Sequence, residues 1–161
     1  MKTLFLVRHA KSSRDDASLP DRERPLNDRG LHDAPMMGQR LSRSGVKPDR
    51  LVSSPALRAL TTARLIADAI GYPRRDIAVD DRLYESSPER LLGVIRGLDD
   101  KLDRVMLFGH NPTFVELAHR LAPEITDMPT CAVAELGFDT RAWADIGVLD
   151  PAKVKLHTPK N

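Results

Sequence analysis

With 161 residues, 41% of them apolar and 30% charged, the chain has the composition of a folded unit with a sizeable core and not of a disordered segment. Its 25 basic and 23 acidic residues give a formal net charge of +2, and no dense basic run marks a nucleic-acid groove. A single cysteine, Cys131, excludes an internal disulfide and a cysteine-based zinc site, and nothing approaches the roughly 20 apolar residues of a membrane span.

The elements follow in order. Thr3 to Val7 reads as a fully buried strand, because its apolar residues run on without alternation before Arg8-His9. Residues 11–29 are polar, carry Pro20 and Pro25, and form a loop long enough to expect a functional role. Asn27-Asp28-Arg29-Gly30 then opens a helix of about 14 residues, with Leu31, Ala34, Met37, Gly38 and Leu41 at helical spacing and Gly45 beyond its last turn. Pro35 falls early in that helix, where a missing N–H is better tolerated.

Asp49 to Val52 is a second strand, ending in Ser53-Ser54-Pro55. Ser54 is the expected N-cap of a helix running through Leu57, Ala63 and Ile66 to Gly71. Ile77 to Val79 is a weaker strand, and Ser87-Pro88-Glu89 starts a helix through Leu91 and Val94. Val105 to Phe108 is another buried strand, and Gly109-His110-Asn111-Pro112 leads into a helix through Val115 and Leu121. Ala132 to Phe138, and then Val154 to Leu156, complete the strands.

This alternation predicts an α/β fold: a three-layer α/β/α sandwich, one domain over residues 1–161, with a mostly parallel sheet and an antiparallel late edge strand. In such sheets ligands bind beyond the carboxyl ends of the strands. Three polar clusters fall there, Arg8-His9, Ser53-Ser54 with Arg58, and Gly109-His110, and they are expected to converge. Two imidazoles among arginines suit an oxyanion such as phosphate, since guanidinium offers a planar fork of donors. A neutral imidazole in that setting is a nucleophile toward phosphorus. The short N-terminal apolar stretch is unlike a secretory signal, and Cys131 reads as a small buried hydrophobe, so the expected location is the cytoplasm.

Leu6-Val7-Arg8-His9-Ala10 resembles the R-H-G signature of the histidine phosphatase superfamily, whose fold is phosphoglycerate mutase-like, with Ala10 in place of the glycine. Arg24-Pro25-Leu26 with Gly30 resembles its R-P-L-T/N-x-x-G element, and Ser53-Ser54-Pro55-Ala56-Leu57-Arg58-Ala59 with Thr61-Thr62-Ala63 its S-S-P-x-x-R-A-x-x-T-A element. Gly109-His110-Asn111-Pro112 resembles the second histidine motif, and the R-H-A-K-S start looks most like SixA-type phosphohistidine phosphatases.

The resemblance implies that His9 is the nucleophile and becomes phosphorylated. Arg8, Arg24 and Arg58 would bind the phosphoryl oxygens, with His110 completing the pocket as a donor and Asn111 beside it. It implies no metal and no organic cofactor. Glu85, in Arg82-Leu83-Tyr84-Glu85, matches the position of a general acid in many members. The expected activity is a phosphatase, acting first on protein phosphohistidine, with a phosphohistidine-bearing signalling protein as partner and neither nucleic acid nor membrane involved. The alternatives are a small-molecule phosphomonoesterase using Glu85, or a phosphate-binding module without turnover. Lys11 and Ser12 lie beside the nucleophile, whereas His32, His119 and His157 match no motif and are expected to be surface or structural residues. Loop 11–29 and the segment 84–90 are the expected selectors of the leaving group.

Overall fold

The computed structural model describes residues 1–160. Six strands form one sheet in the order β3-β2-β4-β1-β5-β6: β1 (Lys2–Arg8), β2 (Arg50–Ser53), β3 (Ala78–Val79), β4 (Arg104–Gly109), β5 (Val133–Phe138) and β6 (Lys153–His157). β3, β2, β4 and β1 run parallel, while β5 pairs antiparallel with both β1 and the edge strand β6.

Four helices cover the sheet: α1 (Asp28–Arg43), α2 (Leu57–Ile70), α3 (Pro88–Arg96) and α4 (Thr113–Leu121). The unbroken apolar run of β1 follows from this layering. Phe5 and Val7 pack with Ala34, Met37 and Ile66 of α1 and α2, whereas Leu4 and Leu6 pack with Leu91, Ile95 and Leu117 of α3 and α4. Both faces of the strand are therefore covered, which removes the polar alternation a half-exposed strand would show. No helix among the described residues is long and apolar enough to cross a membrane.

The helix ends follow local chemistry, with two departures from expectation. Asn27 caps α1 by accepting from the Gly30 N–H, and Ser87 caps α3 by accepting from the Arg90 N–H. α1 runs to 16 residues, and Pro35 lies past its first turn, in the helix interior. The helix tolerates it there because the carbonyl it leaves unbonded belongs to Leu31, which is itself exposed. The cap expected at Ser54 moves to Ala56. Ser54 instead continues the strand by giving its N–H to the Phe108 carbonyl at 2.9 Å, and its hydroxyl is engaged elsewhere.

Loop 11–29 is closed at its base. Ser12 and Leu26 form a β-bridge, the Ser13 N–H reaches the Pro25 carbonyl at 2.8 Å, and the Asn27 N–H reaches the Lys11 carbonyl at 3.0 Å. Gly30 completes the closure, because a Cβ there would meet the Lys11 carbonyl oxygen at 2.2 Å. Only glycine lets α1 lie this close to the chain leaving β1.

Candidate active site

The sheet register builds the site. Arg8 of β1 lies beside Gly109 of β4, and the His9 N–H bonds the Gly109 carbonyl at 3.0 Å. His9 and His110 therefore leave adjacent parallel strands at the same level, with ring centroids 5.2 Å apart. Ser53 pairs with Phe108, so Ser54 leaves β2 beside them. The three polar clusters expected at strand ends do converge.

His9 is buried, and its Nδ1 lies 2.7 Å from the Ala10 carbonyl oxygen. A carbonyl only accepts, so Nδ1 carries the proton and Nε2 keeps its lone pair. Burial is the main reason the His9 pKa falls to about 4, with Arg58, Arg8 and Arg24 adding to the lowering against the Ala10 bond. His9 is thus neutral at pH 7. Thr62 fixes the turn behind it, accepting from the Ala10 N–H at 3.0 Å and donating to the Arg58 carbonyl at 2.7 Å.

The other groups surround this imidazole. Arg58, only 6% exposed, donates through Nη1 to the Asp21 carbonyl at 2.7 Å and through Nη2 to the Asp21 carboxylate at 2.9 Å. Arg24 reaches Ser12 Oγ at 3.0 Å and Asp21 Oδ1 at 3.2 Å, and Arg8 donates to the Met128 carbonyl at 3.0 Å. His110 Nε2 lies 2.8 Å from Ser54 Oγ, which also accepts from the Ala56 N–H. Giving the hydroxyl proton to Nε2 uses both functions of Ser54 and places the ring proton of His110 on Nδ1. Burial first, then His9 and Arg58, lower the His110 pKa to about 3.

Three buried nitrogens have no hydrogen-bond partner among the described residues: Arg8 Nε, Arg58 Nε and His110 Nδ1. Buried donors are rarely left so, and three around one imidazole fit an oxyanion that would accept from all of them. The cavity holding these groups has a volume of about 490 Å³, with Lys11 and Ser12 also on its wall. A larger cavity of about 610 Å³ adjoins it across Lys11, Asn27 and Thr130, but neither His9 nor His110 reaches it.

The remaining expected residues are placed less centrally. Asn111 lines the cavity, but its Nδ2 donates to the Met128 carbonyl at 2.9 Å and its Oδ1 accepts from the Val115 N–H at 3.2 Å. Its amide thus steadies the start of α4. Glu85 is exposed, takes a positive φ of 50°, and lines a separate cavity of about 240 Å³ that adjoins the first at Arg58 and His110. Of the three unassigned histidines, His157 is buried and lies 3.0 Å from Glu135, a structural pair, while His32 and His119 are exposed.

Sequence reasoning gave no individual role in the site to Asp21, Tyr84 or Thr62, and read Ser54 as a helix cap. Tyr84 donates to Asp21 Oδ2 at 2.6 Å and meets the His110 ring in a T-shaped contact, the centroids 5.5 Å apart. The nearest signal for Asp21 is its place three residues before Arg24, in a stretch so rich in charge that no single carboxylate stands out.

The lowered pKa of His9 sets a pH profile. For a nucleophilic His9, protonation would occupy the attacking lone pair, so turnover corrected for substrate ionisation should stay level from pH 8 to about 5 and fall with a midpoint near 4. A midpoint near 6.5 would mean an ordinary, solvated imidazole. Stability carries the same sign. Below about pH 6.5 the unfolded chain takes up protons that folded His9 and His110 refuse, so stability falls with pH through that window.

Comparison with known proteins adds an independent line. The sequence profile of the histidine phosphatase superfamily (branch 1) matches residues 4–104. An uncharacterised protein of Mycobacterium tuberculosis is 31% identical over 165 residues, covering 96% of this chain and 100% of its own length. A provisionally assigned phosphohistidine phosphatase SixA from Agrobacterium tumefaciens superimposes with a TM-score of 0.76 at 27% identity, over 84% of this chain and 90% of that one. The protein histidine phosphatase SixA complexed with tungstate superimposes with a TM-score of 0.82 at 24% identity, over 98% of this chain and 97% of that one. The fold is shared more widely: a mycobacterial glucosyl-3-phosphoglycerate phosphatase superimposes with a TM-score of 0.67 at 16% identity, over 98% of each chain.

Proposed function

The chain belongs to the histidine phosphatase superfamily and is a phosphatase, and from that premise we propose that it hydrolyses protein phosphohistidine through a phosphoryl intermediate on His9. The observation that carries this reading is the His9 imidazole itself. It is neutral, holds its Nε2 lone pair free, and stands among three guanidinium groups.

In the first step Nε2 attacks phosphorus in line, the P–Nε2 bond forms, and the bond to the leaving group breaks with its electron pair going to that group. Arg8, Arg24 and Arg58 balance charge on the equatorial oxygens, and His110 donates through Nδ1. In the second step water attacks phosphorus, the P–Nε2 bond breaks, and inorganic phosphate leaves with His9 neutral again.

The leaving group supports the choice of substrate. An imidazole departs from phosphorus more readily than an alkoxide, so it makes less demand on a general acid. Within the His9 cavity the described carboxylates are Asp15 and Asp21, and Asp21 is committed to Arg58, Arg24 and Tyr84. Such a pocket suits a phosphoramidate presented by a phosphohistidine-bearing signalling protein.

A specific observation favours a second reading, hydrolysis of a small phosphate ester. Glu85 lines the cavity that meets the first at His110 and Arg58, a place from which it would protonate an alkoxide. One panel separates the readings: phosphohistidine protein against sugar and nucleotide phosphates, with wild type and Glu85→Gln. The first predicts that phosphohistidine is turned over fastest and that Glu85→Gln spares it. A preference for esters, with a hundredfold or greater loss in Glu85→Gln (about 10² is typical for a general acid), establishes the second. Phosphate binding without turnover of any substrate would leave the binding module.

A further inference from the structure

Asp21 stands where three segments meet. Its carbonyl and carboxylate hold the two terminal nitrogens of Arg58 on α2, its Oδ1 accepts from Arg24 in its own loop, and its Oδ2 accepts from Tyr84 across the site. The side chain is about half exposed, and an isolated ion pair at such a site contributes little. This one differs because a single carboxylate orders two phosphate-binding arginines and ties loop 11–29 to the segment carrying Glu85.

The geometry points to Asp21 as the positioning residue of the phosphoryl pocket, one that holds Arg58 by its outer edge and so presents the opposite edge to the anion. This inference rests on the phosphatase reading above. An arginine carries five N–H donors, and a partner bridging Nη1 and Nη2 takes the edge remote from Nε. Asp21 makes that bridge with its two oxygens, while Arg58 Nε is buried and has no partner among the described residues. The Nε–Nη2 edge is thereby left as a fork for two phosphoryl oxygens. A carboxylate occupying the anion's own place would instead cover Nε.

Two further facts fit a fixed anchor. The Tyr84 bond and the Arg58 contacts keep the Asp21 carboxyl well below the usual carboxylate range, so it is ionised wherever the enzyme works. Burial and Asp21 push the Tyr84 phenol up to about 12, so its proton stays in the bond. Around the cavity Arg8, Lys11, Arg14, Arg24 and Arg58 face only Asp15 and Asp21, leaving a net positive pocket.

The test compares wild type, Asp21→Ala and Tyr84→Phe by tungstate binding in calorimetry, by steady-state kinetics and by thermal unfolding. Asp21→Ala should weaken tungstate about tenfold and lower kcat/KM by about ten- to a hundredfold, the effect of losing charge-assisted bonds. Its Tm should stay within a few degrees, since the side chain is about half exposed. Tyr84→Phe leaves Arg58 held and should cost no more than about threefold on both measures, in line with one neutral donor. Tungstate affinity unchanged in Asp21→Ala, or tightened as a competing carboxylate would allow, overturns the inference. So does a Tyr84→Phe loss equal to that of Asp21→Ala. Wild-type protein that binds no tungstate and forms no phosphohistidine overturns the parent reading, and this one with it.

Discussion

His9→Ala should abolish turnover, by about four orders of magnitude or more, and should leave the protein without the acid-labile phosphate that wild type acquires during the reaction. The size of the effect follows from the division of labour in the pocket. The arginines and His110 stabilise charge: the guanidiniums are protonated and the bare Nε2 of His110 is taken up by the Ser54 hydroxyl, whereas His9 offers an Nε2 left free by the Nδ1 bond to Ala10. Rapid quench with a labelled phosphodonor, followed by alkaline and acid treatment, reads the adduct directly. Equal label on His9→Ala would assign the nucleophile elsewhere. The variant should bind tungstate nearly as well as wild type, because the guanidinium clamp does not depend on the imidazole.

Arg58→Ala should lower kcat/KM by about two to three orders of magnitude, the range found when one preorganised donor to a transition-state oxyanion is removed. It should also weaken tungstate more than Asp21→Ala does. Two effects act together: the fork at Nε and Nη2 is lost, and the Asp21 carboxylate is left without its partner beside the incoming anion. Arg58→Lys restores a charge but not the planar fork, so it should recover only part of the rate. Stability should move the other way. Arg58 is a buried cation whose Nε is unpartnered, so alanine there should hold or raise the Tm. A clear fall in Tm, with tungstate binding intact, would make Arg58 a structural residue.

What the sequence disclosed was what short-range pattern encodes. The unbroken apolar runs of β1 and β4 mark strands covered on both faces, and the motif residues follow each at its carboxyl end. His9, Arg8, Arg58 and His110 were therefore legible together, and the parallel register of β1, β2 and β4 brings them within one cavity. The Asp21 clamp was not legible. Its partners Arg58 and Tyr84 lie 37 and 63 residues away, and no local periodicity connects them. Ser54 was misread for a related reason. A serine before proline satisfies the rule for an N-cap, but here its hydroxyl orients His110, and the helix begins later. Glu85 shows the opposite limit: its motif position is clear, and its place in an adjoining cavity is visible only in three dimensions.

The closed base of loop 11–29 has a consequence for how such a pocket can change its preferences. Bonds from Ser12, Ser13 and Asn27 cinch the loop like a drawstring, with Gly30 pressed against Lys11 below. Whatever happens between Arg14 and Pro20 is hardly transmitted to His9, because both ends of the loop are pinned together, one where it leaves β1 and the other where it enters α1. Lengthening a flexible loop costs little, about 0.6 kcal/mol for each doubling. Loop segments of different length and charge can thus be spliced in above the drawstring, re-tailoring the mouth for a protein surface or for a small ester, while His9 beneath stays in register.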